Sequence, residues 1–281
     1  MIIDFHCHTF PDSIAAAAIK KMQMDCHAAA FSEGTLHGLK STAASAGIDW
    51  SVIQPVATKP EQVSAINRLA TSLNGKDGVI YFGAMHPDFE DAATELKFLA
   101  DSGIRGIKIH PVYQKHNIDH ISYLHIFEIC AELGLWVLSH TGDDIGFPDE
   151  VSCSPEKCRR ALKAVPGLKF VAAHMGGWRT WDRVADCLLD TEAFIDTAFS
   201  LGFITTLEDG FYDGKSTALL DEAEFCGLVR TFGSKRVLFG TDTPWTDRKK
   251  EIANIKALPL SEGEIFDILG ANAELILFKK K

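Results

Sequence analysis

The 281 residues suffice for one large domain with its own packed core, and 46% hydrophobic against 23% charged residues excludes a disordered chain. A formal charge of −10 argues against a broad nucleic-acid surface, which needs the opposite sign. No apolar run approaches the roughly 20 residues of a membrane-spanning helix, and no basic segment leads into an apolar stretch at the N-terminus. Seven scattered cysteines without a Cys-x-x-Cys spacing read as free thiols in a reducing compartment, so a cytoplasmic location is expected.

In chain order, short apolar runs alternate with longer amphipathic stretches. Strands are expected at Ile2–Phe5, Ser51–Gln54, Val79–Gly83, Gly106–His110, Trp136–Ser139, Phe170–Ala173, Ala193–Asp196 and Val237–Gly240. Their continuous apolar character suits parallel strands buried on both faces. Helices are expected at Glu61–Leu73, Phe89–Asp101, His120–Leu133, Pro155–Ala164 and Ala218–Thr231, with closing helical turns over Glu262–Phe278. Segment 25–46 reads as an insertion over the active face or, preferably, as an ordinary helix and loop. Eight strands each followed by a helix make a (β/α)8 TIM barrel, an α/β fold, spanning 1–281 as a single domain.

Barrels of this type place their chemistry at the C-terminal strand ends. The first strand ends in His6-Cys7-His8, the fifth at His140 and the sixth at His174, and Asp242 follows the eighth. Side chains two apart on a strand share a face, so His6 and His8 can approach one divalent ion together. His140 and Asp242 complete a mixed nitrogen–oxygen set with a position left open, as in catalytic zinc sites. Asp4, with the same parity, is expected to orient a liganding imidazole. His86 and His110 read as loop or pocket residues, and Asp143 and Asp144 as mouth or solvated-loop residues.

Four segments carry a family resemblance: Phe5-His-Cys-His8, Leu138-Ser-His-Thr-Gly142, Ala173-His-Met-Gly-Gly177 and Phe239-Gly-Thr-Asp-Thr-Pro244. Together they resemble the amidohydrolase superfamily, in the metal-dependent branch that includes aminocarboxymuconate-semialdehyde decarboxylase. The resemblance implies the barrel, His6, His8, His140 and Asp242 as metal ligands, and His174 as a catalytic histidine near the metal. A metal-activated water would then attack a C–N or C–O bond of a small substrate. Asp242 would act as general base, and His174 would stabilise the oxyanion or protonate the leaving group.

One ion is expected, Zn2+ before Mn2+, Fe2+ or Co2+. Lys108 can hold a substrate carboxylate, bridge a second metal as a carbamate, or pair with a neighbouring carboxylate. Arg179 can clamp an anionic group or lie idle on the surface. Two rivals stand beside the hydrolase: a non-oxidative decarboxylase or hydratase on the same site, and an inactive barrel serving as a scaffold. The expected partner is a small molecule, with neither nucleic acid nor membrane, and a homodimer is the default assembly.

Overall fold

A computed structural model describes residues 1–148, 151–213 and 215–279; the other positions of the expected 1–281 domain lie outside the described residues. Nine strands are assigned there: β1 Ile3–Cys7, β2 Trp50–Ile53, β3 Val79–Tyr81, β4 Gly83–Ala84, β5 Gly106–Ile109, β6 Trp136–Ser139, β7 Lys169–Ala172, β8 Phe194–Asp196 and β9 Val237–Leu238. All eight expected strands are present, and the third is divided at Phe82. The reason is local. Asn67 reaches from its helix to Ala84, accepting from its N–H at 2.7 Å and donating to its carbonyl at 3.0 Å. The amide thus occupies the backbone groups of Ala84 that a strand neighbour would use. No helix among the described residues is long and apolar enough to cross a membrane.

The chain forms two compact units, Met1–Ile53 with Thr197–Lys281, and Gln54–Asp196. In the first, β1 runs parallel to β2, with Ile3 opposite Trp50 and Asp4 opposite Ser51. On its other side β1 meets the segment that continues β9. Phe5 N–H donates to Phe239 O at 2.7 Å, Asp242 N–H to His6 O at 2.8 Å and His8 N–H to Thr243 O at 2.8 Å. The first strand therefore lies between the second and the last. Gly240 permits this approach, since a Cβ there would stand 2.8 Å from the His6 Cβ.

Helices Asp12–Cys26 and Leu36–Ala46 fill the segment after β1. The second is capped by Thr35 Oγ1, which accepts from Gly38 N–H at 3.0 Å, and ends at left-handed Gly47. The helix expected from Ala218 begins instead at Glu222. Asp221 and Glu224 close a capping box there, while Ala218 and Leu220 bridge to Phe203 and Leu201.

Helix Arg248–Ala257 turns two charged residues inward, Arg248 and Glu251. Burial, helped by Asp247 and Asp4 and opposed by Lys250, raises the Glu251 carboxyl from 4.5 to about 7. Below pH 4.5 the group is neutral in both folded and unfolded chains and costs nothing. As pH rises from 4.5 through 7 only the unfolded chain gains the charge freely, so stability falls across that window. Glu251→Gln should therefore stabilise the protein by up to about 3 kcal/mol at pH 8 and by almost nothing near pH 4.5. Urea denaturation of both chains at the two pH values checks this; a gain independent of pH would contradict it.

In the second unit β4, β5, β6, β7 and β8 pair in that order, all parallel, with Gly83 opposite Ile107, Gly106 opposite Trp136, Leu138 opposite Val171 and Ala172 opposite Ile195. Beyond β5, buried Gln114 fixes the turn that carries His110. Its Oε1 accepts from His110 N–H at 3.0 Å and from the Tyr123 hydroxyl at 2.5 Å. Its Nε2 donates to Ala57 O at 2.8 Å and to Met85 O at 2.6 Å. Every hydrogen-bonding position of this amide is used, as burial demands.

Candidate metal and catalytic site

The first unit brings three expected ligands together. His6 is fully buried on β1, and His8 and Asp242 are partly buried. His6 Nε2 and His8 Nε2 lie 3.1 Å apart, and Asp242 Oδ1 lies 3.1 Å from His8 Nε2 and 3.6 Å from His6 Nε2. The three edges of such a triangle cannot all be hydrogen bonds at once, because one N–H can point at only one of two partners some 60° apart. A divalent ion bonded at about 2.0–2.2 Å to each would space its ligand atoms by about 3.0–3.6 Å. The imidazole planes cross at 66°, so their in-plane lone pairs can converge. The donor set therefore fits a metal ion.

Asp4 has a different task from the one expected. Its buried carboxylate accepts from the backbone N–H groups of His6 at 3.3 Å and Thr241 at 3.0 Å, and from the Thr241 hydroxyl at 2.6 Å. It thus orients the backbone that carries the ligands. Arg248, also buried, pairs with it at 2.9 Å.

The second unit gathers His140 and His174, whose Nδ1 and Nε2 lie 3.0 Å apart. His140 Nε2 lies 2.9 Å from Asp143 O, which can only accept. Nε2 must carry the proton, and Nδ1 then presents its lone pair. A ring that donates its far N–H to a carbonyl is the usual arrangement of a metal-binding histidine. Burial first, then the charges of His110 and His174, hold the His140 pKa well below the usual imidazole range, with Asp144 opposing and Lys108 adding. A ring kept neutral is the form that binds metal.

His110, His140 and Asp144 form a second cluster of metal-binding residue types, all buried. Its geometry is that of a stack. The two rings lie face to face, centroids 4.3 Å apart and planes 13° apart, so their lone pairs run nearly parallel and do not meet at one point.

Backbone strain marks the same places. His174 (φ 59°), Met175 (φ 53°), Arg179 (φ 58°) and Asp242 (φ 58°) all adopt the left-handed conformation, which costs most at Met175 and Arg179 and is better tolerated by His and Asp. His174 is held there by its N–H donating to Asp196 Oδ1 at 2.9 Å and its carbonyl accepting from Trp181 Nε1 at 2.9 Å. Gly142 (φ 89°) lies so close to the Trp178 backbone that no side chain would fit.

A family model described as amidohydrolase matches residues 3–279. The chain belongs to the amidohydrolase family. No curated protein matches it in sequence. Among solved structures, an uncharacterized TIM-barrel protein from Bordetella bronchiseptica superposes with a TM-score of 0.75 at 19% identity, over 98% of each chain. The 5-carboxyvanillate decarboxylase of Sphingomonas paucimobilis does so with a TM-score of 0.69 at 15% identity, over 100% of this chain and 99% of that one. A 5-carboxyvanillate decarboxylase from Novosphingobium aromaticivorans, a mutant with bound manganese and a nitrobenzoic acid, reaches 0.69 at 14% identity, over 99% and 97%. The fold of this amidohydrolase is accordingly the α/β barrel, and the chain is an enzyme of that family.

Of the expected site residues of this amidohydrolase, His6, His8 and Asp242 meet in the first unit, and His140 and His174 meet in the second. Lys108 is 1% exposed within β5, and its charge contributes to depressing His140. Arg179 is exposed, its guanidinium 4.6 Å over the Trp178 ring, and it lowers the Asp143 carboxyl that burial raises. His110 and Asp144 escaped the sequence reading as a pair. Nothing in the sequence shows that a loop residue four positions after His140 folds back onto its ring.

Proposed function

We propose that this amidohydrolase-family enzyme is a metal-dependent decarboxylase of a small carboxylic acid, with residues 3–279 acting as one catalytic domain. The observation that carries the reading is the convergence of His6 Nε2, His8 Nε2 and Asp242 Oδ1 within 3.6 Å of one another. The sequence motif adds His140 as fourth ligand. Zn2+ is the ion assigned first, with Mn2+, Fe2+ and Co2+ as alternatives, because a His/carboxylate set accepts several. An ion bound there supplies Lewis acidity. Decarboxylation is preferred because two of the structures described above are decarboxylases acting on a carboxylated aromatic ring, one of them holding manganese.

The chain's own residues then divide the work. Lys108 and Arg179 are the cations offered to the substrate carboxylate. His174 delivers a proton to the carbon as its bond to the carboxylate carbon breaks. The electron pair of that bond takes the proton, and CO2 leaves. Hydrolysis of a C–N or C–O bond is the second reading, favoured by the carboxylate of Asp242 beside the two imidazoles, where it can act as base.

Metal-loaded protein incubated with aromatic and unsaturated carboxylic acids, lactones and amides separates the two. The expected result is CO2 release from an acid, with one metal equivalent per chain and with kcat lowered on the order of 10²–10⁴-fold in His174→Asn. Turnover of lactones or amides without CO2 release would replace decarboxylation by hydrolysis. Two equivalents with a carbamate on Lys108 would replace the single ion. A chain that takes up none of Zn2+, Mn2+, Fe2+ and Co2+ and turns over no compound of the panel would replace the metal-dependent reading by a scaffold.

A further inference from the structure

We propose that His110 and Asp144 are positioning residues that lock the His140 imidazole in the one orientation presenting Nδ1 as a donor. The value of that donor rests on the proposed metal function; the lock itself rests on contacts within the second unit alone. His140 stands at the end of β6, where rotation about its outer side-chain bond is soft, as for any imidazole. A half-turn would exchange a nitrogen for a carbon on the side facing His174.

Three sets of contacts oppose that rotation. Nε2–H donates to Asp143 O at 2.9 Å. His110 covers one face of the ring at 4.3 Å, and Tyr113 backs His110 at 3.8 Å and 19°. Phe147 closes on Tyr113 at 5.4 Å. The Asp144 carboxylate lies along the edges of both imidazoles, its Oδ2 3.4 Å from His110 Nε2 and 3.8 Å from His140 Nε2. Turning His140 out of plane would drive its edge into the face of His110. His110 cannot retreat, because its backbone is bound by Gln114, whose own amide is tied to Ala57 and Met85.

The arrangement also explains why these metal-binding residue types form a stack rather than a chelate. Face-to-face rings make a wall, and a wall fixes a neighbour's plane. A carboxylate behind a liganding histidine strengthens its basicity, and loss of such outer partners generally weakens metal binding by about 10–100-fold.

The test compares His110→Phe, which keeps a flat ring, with His110→Ala, which removes it, in the full-length chain. Two measurements are made: 15N NMR of the labelled metal-free protein, with the His140 signals assigned by their loss in His140→Asn, and Zn2+ affinity by chelator competition. Wild type and His110→Phe should show a single Nε2–H tautomer at His140 and affinities within about threefold of each other. His110→Ala should show mixed tautomers and bind Zn2+ roughly 10–100-fold more weakly; Asp144→Asn should fall by about tenfold. Should the alanine variant not fold, His110→Leu fills the volume without a flat face and carries the same expectation. A single Nε2–H tautomer and wild-type affinity in the folded Ala or Leu variant overturn the proposal. If the wild type binds none of Zn2+, Mn2+, Fe2+ and Co2+, the proposed function fails, and the tautomer measurement still decides the lock.

Discussion

Asp242→Asn should lose most of its metal and on the order of 10³-fold or more in kcat/KM, while folding as the wild type does. Asparagine is chosen for a conformational reason. Asp242 sits at φ 58°, where Asp and Asn are tolerated and other side chains pay about 1–2 kcal/mol. Alanine would confound a catalytic loss with strain. The backbone of the site survives the change, since Asp242 N–H still donates to His6 O and its carbonyl still accepts from Trp245 N–H. What disappears is the negative oxygen shared by two imidazole nitrogens at 3.1 and 3.6 Å. Lewis-acid stabilisation is worth several kcal/mol, and roughly 4 kcal/mol corresponds to the stated 10³-fold. Metal content by elemental analysis and kcat/KM on the substrate found in the panel are the measurements. An Asn variant that keeps both would remove Asp242 from the site.

The strand pattern was legible because β1 to β9 are buried on both faces, and burial on both faces leaves a continuous apolar run. Helices were legible only where their inner face is apolar. Arg248–Ala257 was missed because its inner face holds Arg248 and Glu251, which erase the apolar period. His6 and His8 were legible through strand parity together with the Phe5-His-Cys-His8 segment of the family resemblance. Asp4 was seen as a helper, but its partner was not. Parity says which face a side chain occupies, not whether the acceptor it finds is an imidazole or a backbone N–H. The wall of Tyr113, His110 and Asp144 was illegible for a further reason. It is made by two loops, and loops carry no period from which a contact can be read.

Arg248 accounts for the other large expected effect. It lies 3% exposed, and its guanidinium serves Asp4 at 2.9 Å, Ser51 Oγ at 2.6 Å, Leu39 O at 3.0 Å and Thr42 Oγ1 at 3.4 Å. Arg248→Met keeps much of the volume but strands Asp4 as a buried anion, which costs about 3–5 kcal/mol. Lysine cannot replace the fork, because one ammonium cannot reach Asp4, Ser51 and Leu39 in the same plane. Asp4→Asn in the same chain should recover part of the loss, since the anion is then gone and an amide oxygen can still accept from Thr241 N–H. Because Asp4 also holds the backbone N–H of His6, the single Met variant should bind metal more weakly even where it remains folded. The denaturation midpoints of the two single variants and the double variant give the coupling between the residues. Strict additivity would mean that the ion pair adds nothing. A Met variant as stable as the wild type would mean that Asp4 finds another cation, and the account of how β1 is held beside the Asp242 segment would fail with it.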